Sequence, residues 1–126
     1  MEPPTPKQEK KAEQSFMIIS DKNHSFLIKL TKFNSSIEII GTFKDELLNH
    51  IYKIELSLDE LKKSNKYFLL YETIDEIYED LNLLMNKKQT KIYEDNNSIR
   101  ICIPIESLKI KEILFTLNEL KKMIKK

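Results

Sequence analysis

Short runs in which apolar and polar residues alternate, broken by clusters of Asp, Asn, Ser and Lys, fill the first half of the chain. Such alternation marks strands that bury one face. Phe16 to Ile19 and Phe26 to Leu30 flank Asp21-Lys22-Asn23-His24 and predict a hairpin. Asn34-Ser35-Ser36 then opens a third run, Ile37 to Ile40. A fourth, Ile51 to Leu56, sets Tyr52, Ile54 and Leu56 on one face and Lys53 and Glu55 on the other. Between the third and fourth runs, Thr42 to His50 (TFKDELLNH) fits either a short helical turn lined by Phe43, Leu47 and Leu48 or a loop, and the loop is preferred.

The period changes at Ser57. Ser57-Leu58-Asp59-Glu60 is a capping box, in which the Ser57 hydroxyl accepts from the Glu60 amide and the Glu60 carboxylate accepts from the Ser57 amide. Leu56 and Leu61 stand where a hydrophobic staple would place them, so a helix is predicted from Leu58. Thr73-Ile74-Asp75-Glu76 repeats the device. Ile74, Ile77, Tyr78, Leu81, Leu84 and Met85 then follow at the spacing of one helical face, predicting a helix over about Ile74 to Asn86. Tyr67-Phe68-Leu69-Leu70-Tyr71 joins the two helices. It reads as core, and as a binding patch where its aromatics Tyr67, Phe68 and Tyr71 reach the surface.

Period two returns with Lys91 to Tyr93, a turn at Glu94-Asp95-Asn96-Asn97, and Ser98 to Ile105, in which Ile99, Ile101, Ile103 and Ile105 form a ladder. Pro104 lacks an amide hydrogen and belongs at the end of that strand. In the tail, Ile110, Ile113, Leu117, Leu120 and Ile124 fit consecutive heptad positions. A strand to about Thr116 is expected to pass into a helix from about Asn118, which opens a coiled-coil seam at Leu117, Leu120 and Ile124. The fold class is therefore α+β: a mainly antiparallel sandwich or barrel of about seven strands, with a helical pair between strands four and five and a C-terminal helix.

Residues 1–14 (MEPPTPKQEKKAEQ) are polar and hold three of the four prolines, and are expected to be a disordered leader. The domain is placed at 15–117 and the helical tail at 118–126. The chain has 126 residues, about one domain's length, and its 21 basic and 20 acidic residues nearly cancel. Nucleic-acid binding leans on clustered positive charge and on Arg, and Arg100 is the only arginine, so no specific nucleic acid is expected. The lysine, isoleucine and asparagine richness is what an AT-rich coding sequence produces.

Candidate chemistry is sparse. His24, His50 and Cys102 are the available nucleophile, base or ligand types, and no spacing joins them into a metal or catalytic motif, so no catalytic, metal or cofactor residue is assigned. With a single glycine, Gly41, the chain lacks phosphate-cradling glycine loops. The acids Asp75, Glu76, Glu79 and Asp80 read as a solvated helix face, since no calcium loop accompanies them. One cysteine permits no internal disulfide, and no apolar run suggests a signal or a membrane span, so a cytoplasmic setting is expected.

The order of four strands, a capped helical pair, three strands and a seam at Leu117, Leu120 and Ile124 resembles the head domains that precede parallel coiled coils. These occur in centriolar cartwheel scaffolds and in the scaffold and accessory factors of end-joining DNA repair. The resemblance covers Phe16 to Lys126 and rests on element order. It implies a seven-stranded head with a helix-turn-helix between its fourth and fifth strands. It also implies a cytoskeletal or centriolar scaffold that homodimerises or homo-oligomerises through its C-terminal helix. Cartwheel heads form rings through a bulky side chain at the tip of their last hairpin. Here the tip at Glu106-Ser107 is flanked by Ile105 and Leu108 and has no aromatic, a departure that leaves ring assembly unsupported.

The expected function is thus a non-enzymatic protein–protein interaction or oligomerisation module. Its candidate interaction residues are Leu117, Leu120, Ile124, Tyr67, Phe68, Tyr71, Ile105 and Leu108. The alternative is a monomeric adaptor of the pleckstrin-homology type that binds a peptide or a phosphoinositide, although only Lys22 stands in the loop such a domain would use for the lipid.

Overall fold

The alternating segments fold into seven strands: β1 (Ala12–Ile19), β2 (Ser25–Lys32), β3 (Ser36–Lys44), β4 (Asn49–Ser57), β5 (Lys91–Glu94), β6 (Ser98–Pro104) and β7 (Glu112–Glu119). The structure, a computed structural model, describes residues 9–45, 47–107 and 109–120. The strands make one antiparallel sheet in the order β1-β2-β3-β4-β7-β6-β5. Its two edges curl towards each other and touch at a single parallel bridge between Ser20 and Ile92, where the Asp21 amide donates to the Ile92 carbonyl at 3.0 Å. The result is a half-barrel whose concave side holds the core.

In chain order, helix α1 (Leu58–Ser64), a short 3-10 helix (Lys66–Leu70) and helix α2 (Ile74–Asn86) follow β4 and precede β5. Both capping boxes are formed, at Ser57/Glu60 and at Thr73/Glu76. Ile74, Ile77, Tyr78, Leu81, Leu84 and Met85 of α2 are buried while Leu83 is exposed, and the helix packs against β1, β2, β3 and β6 across the opening of the half-barrel. Inside the curl, Ile28, Leu30, Ile99, Ile101, Ile113 and Phe115 interlock with them.

Three segments differ from the sequence reading. Strand β1 begins at Ala12, inside the expected leader, because Ala12 to Gln14 pair with Lys32 to Leu30. The stretch from Thr42 to His50 is mostly hairpin rather than loop. Phe43 and Lys44 pair with His50 and Asn49, and the Asp45 carboxylate accepts from the Leu47 and Leu48 amides at 2.9 and 2.8 Å to hold the turn. Finally, β7 runs through Glu119, so no helix begins at Asn118. The alternation of Ile113, Phe115 and Leu117 into the core outweighs the heptad spacing, and Leu117 is 0% exposed. The rest of the expected tail helix, Ile124 included, lies outside the described residues. Among the described residues no helix is long and apolar enough to cross a membrane.

Candidate functional site

One rim of the half-barrel gathers Lys22, His24, Asp45, His50, Tyr52, Glu94, Asp95 and Glu119 around a single opening. The β1–β2 turn is tightened by the Ser20 hydroxyl, which accepts from the Lys22 and His24 amides at 3.2 Å each, and by Asn23 in the left-handed region with φ 64°. This turn sets His24 at the start of β2. Phe43 is the penultimate residue of β3, and the hairpin register places His50 directly opposite it on β4. The Phe43 ring is stacked between the two imidazoles, with centroids 4.3 Å from His24 and 4.4 Å from His50 and planes within 10° and 7°.

Each imidazole meets carboxylates. His24 Nδ1 lies 2.6 Å from Glu94 Oε2, and Ser20 Oγ donates to the same oxygen. His50 Nε2 is 2.8 Å from Asp45 Oδ2 and its Nδ1 is 3.2 Å from Glu119 Oε2. The hydrogen bond from His50, reinforced by the Leu47 and Leu48 amides, holds the Asp45 carboxyl well below the usual carboxylate range. Tyr52, on the next inward position of β4, has its phenol pushed up to about 12 by burial, with Glu119 and Glu94 adding to the shift. A shallow cavity of about 310 Å³ opens over the group.

The order of these groups differs from that of a Ser-His-Asp triad. In a Ser-His-Asp triad the imidazole stands between hydroxyl and acid, so that it can take the hydroxyl proton. Here the Glu94 carboxylate stands in the middle, accepting from Ser20 while it faces His24. Among the described residues no group of three His, Cys, Asp or Glu side chains is disposed to hold a metal ion. Cys102 is elsewhere, on β6 opposite Lys91 and Leu114, and burial, followed by the nearby Glu112 carboxylate, raises its thiol above the ordinary value. The two histidines that no sequence spacing connected are therefore brought together, and the cysteine is not.

The candidate interaction residues are distributed differently. Phe68 is buried, with its ring 6.1 Å from that of Phe115. Tyr67 and Tyr71 are half-buried and both donate their hydroxyls to Asp80 of α2, Tyr71 at 2.7 Å, which ties the 3-10 helix down. The exposed members of that run are Leu69 and Leu70. Ile105 packs on the core, and Leu108 lies outside the described residues. Leu120 is exposed just past β7, where its amide donates to the Ile51 carbonyl at 2.8 Å.

An apolar surface that the sequence reading did not single out lies on the outside of β1 to β4. Met17 pairs with Leu27, Leu27 with Thr42, and Thr42 with Ile51, so these four side chains form a row across the sheet. Met17 is 65% exposed, as is Ile19 beside it, while Leu27 and Ile51 are partly open. The signal was present: in a strand buried on one side, Met17 and Ile19 fall on the opposite face from Phe16 and Ile18. An all-apolar run simply conceals which face is inside.

No protein-family model, curated protein or solved structure matches this chain.

Proposed function

We propose that the domain is a non-enzymatic protein–protein interaction module that engages partners through the β1 side of its sheet. The carrying observation is the exposed row Met17, Leu27 and Ile51, with Ile19 next to it. Contiguous apolar surface of this kind on a small domain marks an association site more often than an isolated exposed side chain does. The placement of α1 and α2 between β4 and β5 supports kinship with the head domains of coiled-coil scaffolds. On that reading, self-association through the chain beyond β7 uses Leu120 and Ile124 without Leu117, which the core consumes. A cytoplasmic, cytoskeletal or centriolar setting belongs to the same proposal.

Of the adaptor alternative, the peptide-binding half is retained and the phosphoinositide half is disfavoured. The rim beside the β1–β2 turn carries Asp45, Glu94, Asp95 and Glu119 against Lys22, a field that repels phosphate.

A photo-crosslinking residue at Leu27, compared with one at the exposed Lys63 of α1, tests the module. Discrete protein adducts at position 27 in the source cell, or a reversible dimer abolished by Leu27→Asp with Ile51→Asp, are expected. A chain that sediments as a monomer at every concentration and gives the same crosslinks at both positions sinks the reading.

A further inference from the structure

We propose that the outer edge of β1 takes an extended peptide segment of a partner protein as an eighth strand, seated between β1 and the end of α2. The segment carries apolar side chains at alternate positions and an acidic side chain where it passes Lys88. This rests on the interaction-module reading and names the partner chemistry of that same side of the sheet.

The hydrogen-bond pattern of β1 supplies the template. The Ser20 amide donates to the His24 carbonyl at 2.9 Å, which marks Ser20 and His24 as a hydrogen-bonding position where the ladder meets the turn. Hydrogen-bonding positions alternate along an antiparallel ladder, so Ile18, Phe16, Gln14 and Ala12 turn their backbone groups to β2. Glu13, Ser15 and Met17 therefore turn their N–H and C=O groups away from β2. Natural sheet edges are usually blunted by shortness, by lysine or by proline. The other edge obeys, since β5 has only four residues, whereas the eight residues of β1 contain neither lysine nor proline.

The space beside this edge has the shape of a strand site. From their contact at Ser20 and Ile92 the two sheet edges diverge, and a groove of about 540 Å³ opens between Phe16, Met17 and Ile18 on one wall and Met85, Lys88 and Thr90 on the other. Thr90, a lining residue of the groove, is only 9% exposed, and its hydroxyl is buried without a hydrogen-bond partner. Lys88, held in the left-handed conformation with φ 60° just after α2, is the one charged residue among the groove's described lining. Side chains on one side of an added strand would meet Phe16, Ile18 and Met85, which calls for apolar residues at every second position. The helical wall also selects the occupant. A second copy of the domain carries its own α2 against its own β1, so a lone extended peptide enters the groove without bringing a second helix against the first.

A displayed library of random linear peptides, selected on the full chain, tests this. Met17→Pro removes the outward amide and leaves the ladder to β2 intact, because that amide makes no bond there. Selected peptides are expected to show alternating apolar residues with an acid and to slow amide exchange at Ser15 and Met17. They should lose about tenfold or more in affinity for Met17→Pro. The same loss is expected when alternate peptide amides are N-methylated, a comparison that leaves the protein unaltered should Met17→Pro fail to fold. Lys88→Glu should shift selection towards basic peptides. Selection of no peptide, or of peptides indifferent to both changes, overturns strand addition. Binders that instead depend on Leu27 and Ile51 overturn it while leaving the interaction module standing. A dimer lost in Met17→Pro overturns it in favour of a second copy.

Discussion

Gly41 on β3 faces Ile99 on β6 across the interior of the curled sheet, so closely that a Cβ at Gly41 would stand 2.9 Å from the Ile99 δ-methyl and 3.0 Å from that of Ile28. The chain's single glycine is therefore a packing residue. Its backbone is ordinary extended strand, and what matters is the missing side chain. Two strands that are not neighbours in the sheet can approach here because one of them has nothing to interpose.

Gly41→Val is expected to destabilise the domain by about 2–3 kcal/mol, the cost of overfilling a packed core. Gly41→Ala should cost less, about 1 kcal/mol, because a strain of that order is offset by the lower entropy of the unfolded alanine chain. Ile99→Val removes the obstructing methyl. In a double-mutant cycle by urea unfolding, Gly41→Ala with Ile99→Val should be more stable than the sum of the two single changes predicts. Strict additivity would show that the contact is not what requires glycine.

The helix caps allow a sharper assignment. The Thr73 hydroxyl accepts from the Glu76 amide at 3.1 Å, and the Glu76 carboxylate accepts from the amides of both Glu72 and Thr73, at 2.9 and 3.1 Å. Thr73→Ala is expected to cost about 1 kcal/mol, and Ser57→Ala at the head of α1 a similar or smaller amount. Urea midpoints should fall while the slopes remain unchanged. Loss of the slope in either variant would mean that the helical pair unfolds separately from the sheet.

These caps were legible because a capping box is a local code, read from four consecutive residues, and α2 because six apolar residues mark one face of thirteen. The isoleucines of β6 were legible for the same reason, with period two in place of 3.6. What could not be read depended on partners remote in sequence. TFKDELLNH lacks a glycine turn, and its hairpin is imposed by pairing of Lys44 with Asn49 and by the Asp45 carboxylate on two amides. Leu117 satisfied a heptad and a strand equally well, and the sheet decided. His24 and His50 meet only because Phe43, opposite His50 in the register, lies between their rings. Met17 and Ile19 were counted as strand residues without a face, since only the sheet shows which side of β1 has no cover.

At high pH the buried phenols set the limit. Tyr52, Tyr67 and Tyr71 are all raised from an ordinary value of 10.0, in each case first by burial. Hydrogen bonds to Asp80 add to the rise for Tyr67 and Tyr71, and the Glu119 and Glu94 charges add to it for Tyr52. A raised phenol favours the folded state while it is neutral. Its contribution is complete below pH 10.0 and is lost as pH climbs from there towards about 12 for Tyr52. Of the five tyrosines, these three should develop phenolate absorbance only together with loss of the folded circular-dichroism signal. Tyr52→Phe should move alkaline unfolding to higher pH. Phenolate appearing at Tyr52 near pH 10.0 in the folded protein would contradict its burial.

The last prediction concerns what the rim cluster does for the fold. Glu94 is nearly buried, its carboxylate takes the Ser20 hydroxyl and faces His24, and its amide donates to the Asp21 side chain at 3.0 Å. It therefore fastens the end of β5 to the β1–β2 turn, at the one place where the sheet edges meet. Glu94→Ala leaves the Ser20 hydroxyl and the His24 ring without their acceptor and should cost about 2–3 kcal/mol, the upper range for hydrogen bonds to a charged group. Glu94→Gln keeps an acceptor of the same length and should cost less. If the carboxylate only clasps the fold, amide exchange in Glu94→Ala should accelerate first at Asp21 and along β5, with α2 protected as before. A Glu94→Ala protein whose stability and exchange match the parent would instead free Ser20, Glu94 and His24 from any structural duty, and would reopen the case for chemistry at that rim.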